Sequence, residues 1–117
     1  MKLYGIRIFV DDIDIAKSFY GDTLNLPINW EMQDLKAIGF NVGSEIIVEE
    51  GSPPSAGSEN LVGRFVGLSL QVDNIDEVYK DLSGKGVDFQ GPPEQQPWGG
   101  KLAHFKDPSG NTLTLLG

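Results

Sequence analysis

From Gly5 onward the chain alternates: Ile6, Ile8 and Val10 fall on one side of "GIRIFVDDID" and Gly5, Arg7 and Phe9 on the other. A period of two predicts a strand with one face buried. The pattern returns in "GLSLQVDNID" (67 to 76), where Leu68, Leu70 and Val72 alternate with Gly67, Ser69 and Gln71. Gly, Val, Asp, Ile and Asp recur at matching places, which reads as an internal duplication. Each strand then meets turn residues, Asp11 and Asp12 or Asp73 and Asn74, whose side chains accept hydrogen bonds from the free N–H groups opening a helix. The first helix is predicted over about 14–24, with Ile15, Ser18 and Phe19 on one side, and ends at "GD". The second is predicted over about 75–83, with Ile75, Val78, Tyr79 and Leu82 at helical spacing, and ends at "SGKG", where glycine tolerates a left-handed turn.

Three short strands follow each helix. They are predicted near 27–32, 36–42 and 44–50 in the first copy, and near 88–90, 101–106 and 112–116 in the second. The turn "DPSG" (107 to 110) supports the last pairing, with Pro108 pre-set for its second position. Between the copies, "GSPPSAGSENLVG" (51 to 63) has no period and reads as a linker. The expected fold class is therefore α+β: one domain of two tandem βαβββ modules, about 1–50 and 64–117, forming a curved mixed sheet around a groove.

Composition narrows the partners. A chain of 117 residues, 39% hydrophobic and 22% charged, suits one compact domain. A formal net charge of −8 repels phosphate backbones and anionic lipid, so neither nucleic acid nor membrane is an expected partner, while a cationic ligand is favoured. The absence of cysteine removes thiol catalysis and fits a reducing cytoplasm. "MKLYGIRIF" alternates like a strand and runs at once into acidic residues, unlike a signal peptide, so a cytoplasmic protein is expected. No glycine cluster bridges a strand and a helix N-terminus as a phosphate loop would, and no serine sits in a nucleophile turn.

"GIRIFVDDIDIAKSFYGDTLNLP" (5 to 27), "GLSLQVDNIDEVYKDLSGKGV" (67 to 87) and "PWGGKLAHFKDPSGNTLTLL" (97 to 116) resemble the vicinal oxygen chelate superfamily, which includes glyoxalase I, extradiol dioxygenases, fosfomycin-resistance enzymes and bleomycin-resistance proteins. In its metal-using members a His opens the first strand of each unit and a Glu lies in a last strand. The resemblance carries those positions onto Gly5, Gly67, Ile47 and Thr114, which supply no set of three or four metal donors. Neither a metal nor another cofactor is expected. A relocated cluster of Glu45, Glu49 and His104 is the alternative, and would make the chain a lyase, isomerase or dioxygenase of this superfamily; the same carboxylates are otherwise simply solvated.

Strand alternation aims Arg7, Phe9, Ser69, Gln71, Thr112 and Thr114 into the groove, and Glu49 with Glu45 if Ile46 and Val48 face the helix. Arg7 either meets a ligand anion or neutralises Glu45 or Glu49. The resemblance puts His104, the single histidine, on the groove side, either as a structural hydrogen-bonding residue or as a candidate catalytic base. Trp98 sits in a polar, proline-containing loop, either as a stacking surface for a planar or cationic ligand or as a plug between chains. Trp30, Met32, Phe40 and Phe65 are expected in the core or at an interface, and Gly5 and Gly67 are expected to leave room for a flat guest. "QPWG" and the acidic surface are similar to the bleomycin-resistance proteins, which lack the metal. The resemblance thus implies a metal-free small-molecule binder, pairing as a homodimer that shares the groove between a unit from each chain.

Overall fold

The computed structural model describes residues 1–51 and 60–117, so most of the expected linker lies outside the described residues. The alternating stretches form β1 (Ile6–Val10) and β5 (Phe65–Gln71). Helix α1 (Ile13–Lys17) follows the first, and Asp12, in extended conformation, caps it by accepting from the Asp14 and Ile15 amides. The helix widens into a π-helical segment, Ser18–Thr23, where the Leu24 amide reaches back to the Phe19 carbonyl at 2.9 Å. Helix α2 (Ile75–Gly84) is capped by Asn74, whose side chain accepts from the Glu77 amide at 3.2 Å. The remaining strands are β2 (Ile28–Met32), β3 (Ala37–Asn41), β4 (Glu45–Glu50), β6 (Asp88–Phe89), β7 (Glu94–Gln95), β8 (Lys101–Lys106) and β9 (Thr112–Leu116).

The strands make two sheets, with order β1-β4-β3-β2 in the first and β5-β9-β8-β6 in the second, where β7 also pairs with β8. This is the α+β architecture of two tandem βαβββ units, the second with the short β7 added, each with its first strand parallel to its last. Just ahead of β5, Val62 makes an isolated parallel bridge to Phe9 of β1.

Their helix-side faces share one core. Ile8, Val10, Phe40 and Val48 from the first sheet join Leu68, Phe105, Leu113 and Leu115 from the second, around Ala16, Phe19, Tyr20, Ile75 and Leu82 of the helical segments. The π-helical segment crosses between the halves: Phe19 packs against Phe105 at 6.4 Å and Tyr20 against Phe40 at 5.9 Å between ring centroids. Ile15, expected on the buried side, is exposed. The buried face is Ala16, Phe19 and Tyr20, spaced i, i+3 and i+4, and Ile15 falls just outside it. Phe40 is in the core as expected, whereas Phe65 and Met32 lie exposed on the opposite sheet faces.

The joint between the halves is polar, and its two central side chains, Asp107 and Asn111, are buried. Asp107, buried, accepts from the Tyr20 hydroxyl at 2.7 Å, from the Ser109 and Asn111 amides at 2.9 Å each, and from Asn111 Nδ2 at 2.9 Å. Asn111 also donates to the Phe9 carbonyl at 2.7 Å, and its Oδ1 accepts from the Gly63 and Arg64 amides at 2.8 and 3.0 Å. Burial, then the charge of Asp107 and its hydrogen bond, pushes the Tyr20 phenol far above its ordinary value.

Tyr20→Phe strips one donor from buried Asp107 and should cost about 1–3 kcal/mol in urea denaturation with an unchanged slope. Because the folded Tyr20 value lies above the unfolded one, the unfolded chain releases this proton first, and wild-type stability should fall as pH rises through about 10. Tyr20→Phe should shed that part of the decline. Asn111→Ala leaves the Gly63 and Arg64 amides and the Phe9 carbonyl without this partner, and should cost about 3 kcal/mol or more in the same assay.

Candidate functional site

The faces of the two sheets turned away from the core carry the candidate residues. On the first, Arg7 pairs with Ile47, Ile47 with Gly39, and Gly39 with Trp30, so one row crosses all four strands; Phe9, Glu49, Ala37 and Met32 form the next. Ile46 and Val48 are buried on the helix side, which puts Glu45 and Glu49 on this outer face. Arg7 Nε and Nη2 donate to the two Glu49 oxygens at 2.9 and 2.8 Å, a two-pronged ion pair, and the guanidinium sits 5.1 Å from the centre of the Phe9 ring. The hydrogen bonds from Arg7 to Glu49, then the carboxylate charge, raise the guanidinium above its ordinary value. Of the two fates open to Arg7, the structure takes the neutralising one, with Glu49 as its partner.

Two further side chains complete that face. Trp30 Nε1 donates to Glu45 Oε1 and Asn29 Nδ2 to Glu45 Oε2, the latter at 3.0 Å. The indole crosses β3 at Gly39, where a Cβ would come within 2.2 Å of its Nε1. This clamp was not legible in the sequence: Trp30 and Glu45 are fifteen positions apart, and only the β2-β3-β4 register brings them together.

On the second sheet one row runs Ser69, Thr114, His104 across β5, β9 and β8. His104 Nδ1 and Thr114 Oγ1 lie 2.8 Å apart, and the exposed Phe65 ring meets the imidazole edge-on at 5.9 Å. Thr112 and Thr114 are buried, while Ser69 and Gln71 are exposed. Trp98 lies in a loop as expected, and that loop is the turn of a hairpin: β7 pairs with β8, and Gln96 N donates to the Gly100 carbonyl at 2.8 Å. Trp98, 61% exposed at its tip, lies over Gly100, where a Cβ would come within 2.1 Å of the ring.

The rows do not face each other within one chain. Among the described residues no side-chain hydrogen bond, ion pair or ring contact joins Arg7, Phe9 or Glu49 to Ser69, His104 or Thr114. The shared core is the reason, since both sheets turn their helix-side faces inward. A cleft of about 1040 Å³ opens instead between the halves, walled by Ile6, Leu24, Leu26 and Ile46 on one side and Leu68, Leu70, Val78 and Leu82 on the other. Of the expected binding residues, Ser69 and Gln71 reach it.

The metal positions implied by the resemblance do not fit an ion. Ile47 is buried, with its Cδ1 3.2 Å from where a Gly5 Cβ would stand, and Thr114 is engaged by His104. Glu45 and Glu49 lie on the first sheet and His104 on the second, and among the described residues no three His, Cys, Asp or Glu side chains come together as a ligand set. The glycines also differ in role from the one expected. Gly5 leaves little room, because its Cβ would press on the Glu45 carbonyl at 3.0 Å. Gly67 has φ +73° at the irregularity between Phe65 and Ser69, so it serves the backbone.

Comparison with known proteins agrees with this architecture. The uncharacterized protein YraH of Bacillus subtilis (strain 168) is 33% identical over 125 residues, covering 98% of this chain and 97% of its own. A solved member of the glyoxalase/bleomycin resistance protein/dioxygenase superfamily from Sphaerobacter thermophilus DSM 20745 is 32% identical with a TM-score of 0.81, covering 99% and 96% of the two chains. The structure of UcmS2 is 27% identical with a TM-score of 0.83, covering 99% and 97%. Residues 3–115 match the family described as Glyoxalase/Bleomycin resistance protein/Dioxygenase superfamily, and the chain belongs to it.

Proposed function

We propose that the chain is a metal-free small-molecule binding protein that sequesters a metabolite or antibiotic as a two-fold homodimer. The observation that carries the reading is the composition of the two outer rows. One holds an arginine already neutralised by Glu49, with aromatic rings beside it, and the other a histidine and threonine locked together; neither assembles a divalent-ion site. Such surfaces offer hydrogen bonds and ring faces to a planar or cationic guest. Each row alone is half a groove. A two-fold contact that lays the first sheet of one chain against the second sheet of its partner closes both halves at once and covers Phe65, 66% exposed, and Met32, 51% exposed. His104, paired with Thr114, then serves as a hydrogen-bonding wall of the site.

Chromatography with light scattering should return twice the 12.7 kDa chain mass at micromolar concentration, and a monomer would remove the shared groove. Elemental analysis of protein purified without chelators should find no stoichiometric zinc, iron, manganese or nickel. A bound divalent ion at one per chain would instead favour a lyase or dioxygenase.

A further inference from the structure

Four carboxylates stand on the strands of the first sheet, and three have cations. Glu31 pairs with Lys17 at 3.0 Å, Glu49 with Arg7 at 2.8 Å, and Glu50 with Lys36 at 3.2 Å. Glu45 is the exception among the described residues: its partners are the neutral indole of Trp30 and the neutral amide of Asn29. Those donors fix both carboxylate oxygens in place without cancelling the charge, and a carboxylate with about four acceptor directions keeps two of them open. Space has been kept for the arrangement. A Cβ at Gly39 would stand 2.2 Å from Trp30 Nε1 and 2.8 Å from Glu45 Oε1, so the absence of a side chain at 39 is what lets the indole reach the carboxylate. Glu45 is also among the residues lining the 1040 Å³ cleft, with Asn41 and Ser44.

We propose that Glu45 is the anionic anchor of the binding face and takes an organic monocation, an ammonium or a planar N-alkylated heterocycle. The inference rests on the binding reading above. Glu49, expected from the sequence to contact the ligand, is spent on Arg7, so a cation gains nothing there that it does not first have to break. At Glu45 the carboxylate is already oriented, and an arriving cation adds a charge-assisted contact with little ordering cost.

The test uses N-methylquinolinium, a permanent planar cation, and quinoline, its neutral parent, titrated calorimetrically at neutral pH. Wild-type protein should prefer the cation by about tenfold, the size of one charge-assisted contact. Glu45→Gln should abolish the preference, and Trp30→Phe, which keeps the charge but removes the donor that holds it, should reduce it several-fold. Asp73→Asn, a loss of one exposed charge in the second half, should leave it intact. A cation preference retained in both Glu45→Gln and Trp30→Phe overturns the anchor while leaving the binding reading in place. Failure of wild-type protein to bind either probe at millimolar concentration overturns both.

Discussion

Buried Asp107 and Asn111 are the joint on which the molecule turns. Between them they engage the Tyr20 hydroxyl, the Phe9 carbonyl and the Gly63 and Arg64 amides, so one short turn binds the first strand, the π-helical segment and the entry to β5. Among the described residues no buried side-chain nitrogen or oxygen lacks a partner, which matters because an unsatisfied group in such a place costs about 1–3 kcal/mol. A greasy joint would allow the halves to slide; a directional one allows one orientation. With that orientation set, Phe19 meets Phe105, the helix-side faces share a core, and the outer faces point away from each other.

The consequence for function is geometric. A chain whose two sheets share one core on their inner faces leaves its two outer rows on separate surfaces, and the proposed groove is the reading that joins them through a second copy. The two rows differ in kind. The first is a charged surface in which one carboxylate is cancelled by Arg7 and another is held by neutral donors; the second is a hydrogen-bonded histidine and threonine beside an exposed phenylalanine. Joined across a two-fold axis, they would present charge on one wall and neutral polarity on the other.

Glycine illustrates how one residue type answers to different constraints. At Gly67 a positive φ is required where β5 loses register with β9. At Gly39 and Gly100 an indole occupies the place of a side chain. At Gly5 the neighbouring backbone and Ile47 already fill the space, so a missing metal ligand there does not translate into an open pocket.

Much of the fold was legible along the chain because its signals are local. Period-two alternation placed β1 and β5, the polar turn residues placed the caps at Asp12 and Asn74, and β8 and β9 run over the residues expected of them. Alternation likewise put Arg7 and Phe9 on one face, since a side chain's face depends on its own strand, whereas Glu49 joined them only once Ile46 and Val48 lay on the helix side. What the sequence could not settle were relations between strands. The helix face that leaves Ile15 exposed, the β7 hairpin under Trp98, the choice of Glu49 as the partner of Arg7 and the clamp on Glu45 all depend on register and on how the halves pack. Those are decided by packing and by a few buried hydrogen bonds between residues as far apart as Phe9 and Asn111, and such distances leave no trace in local pattern.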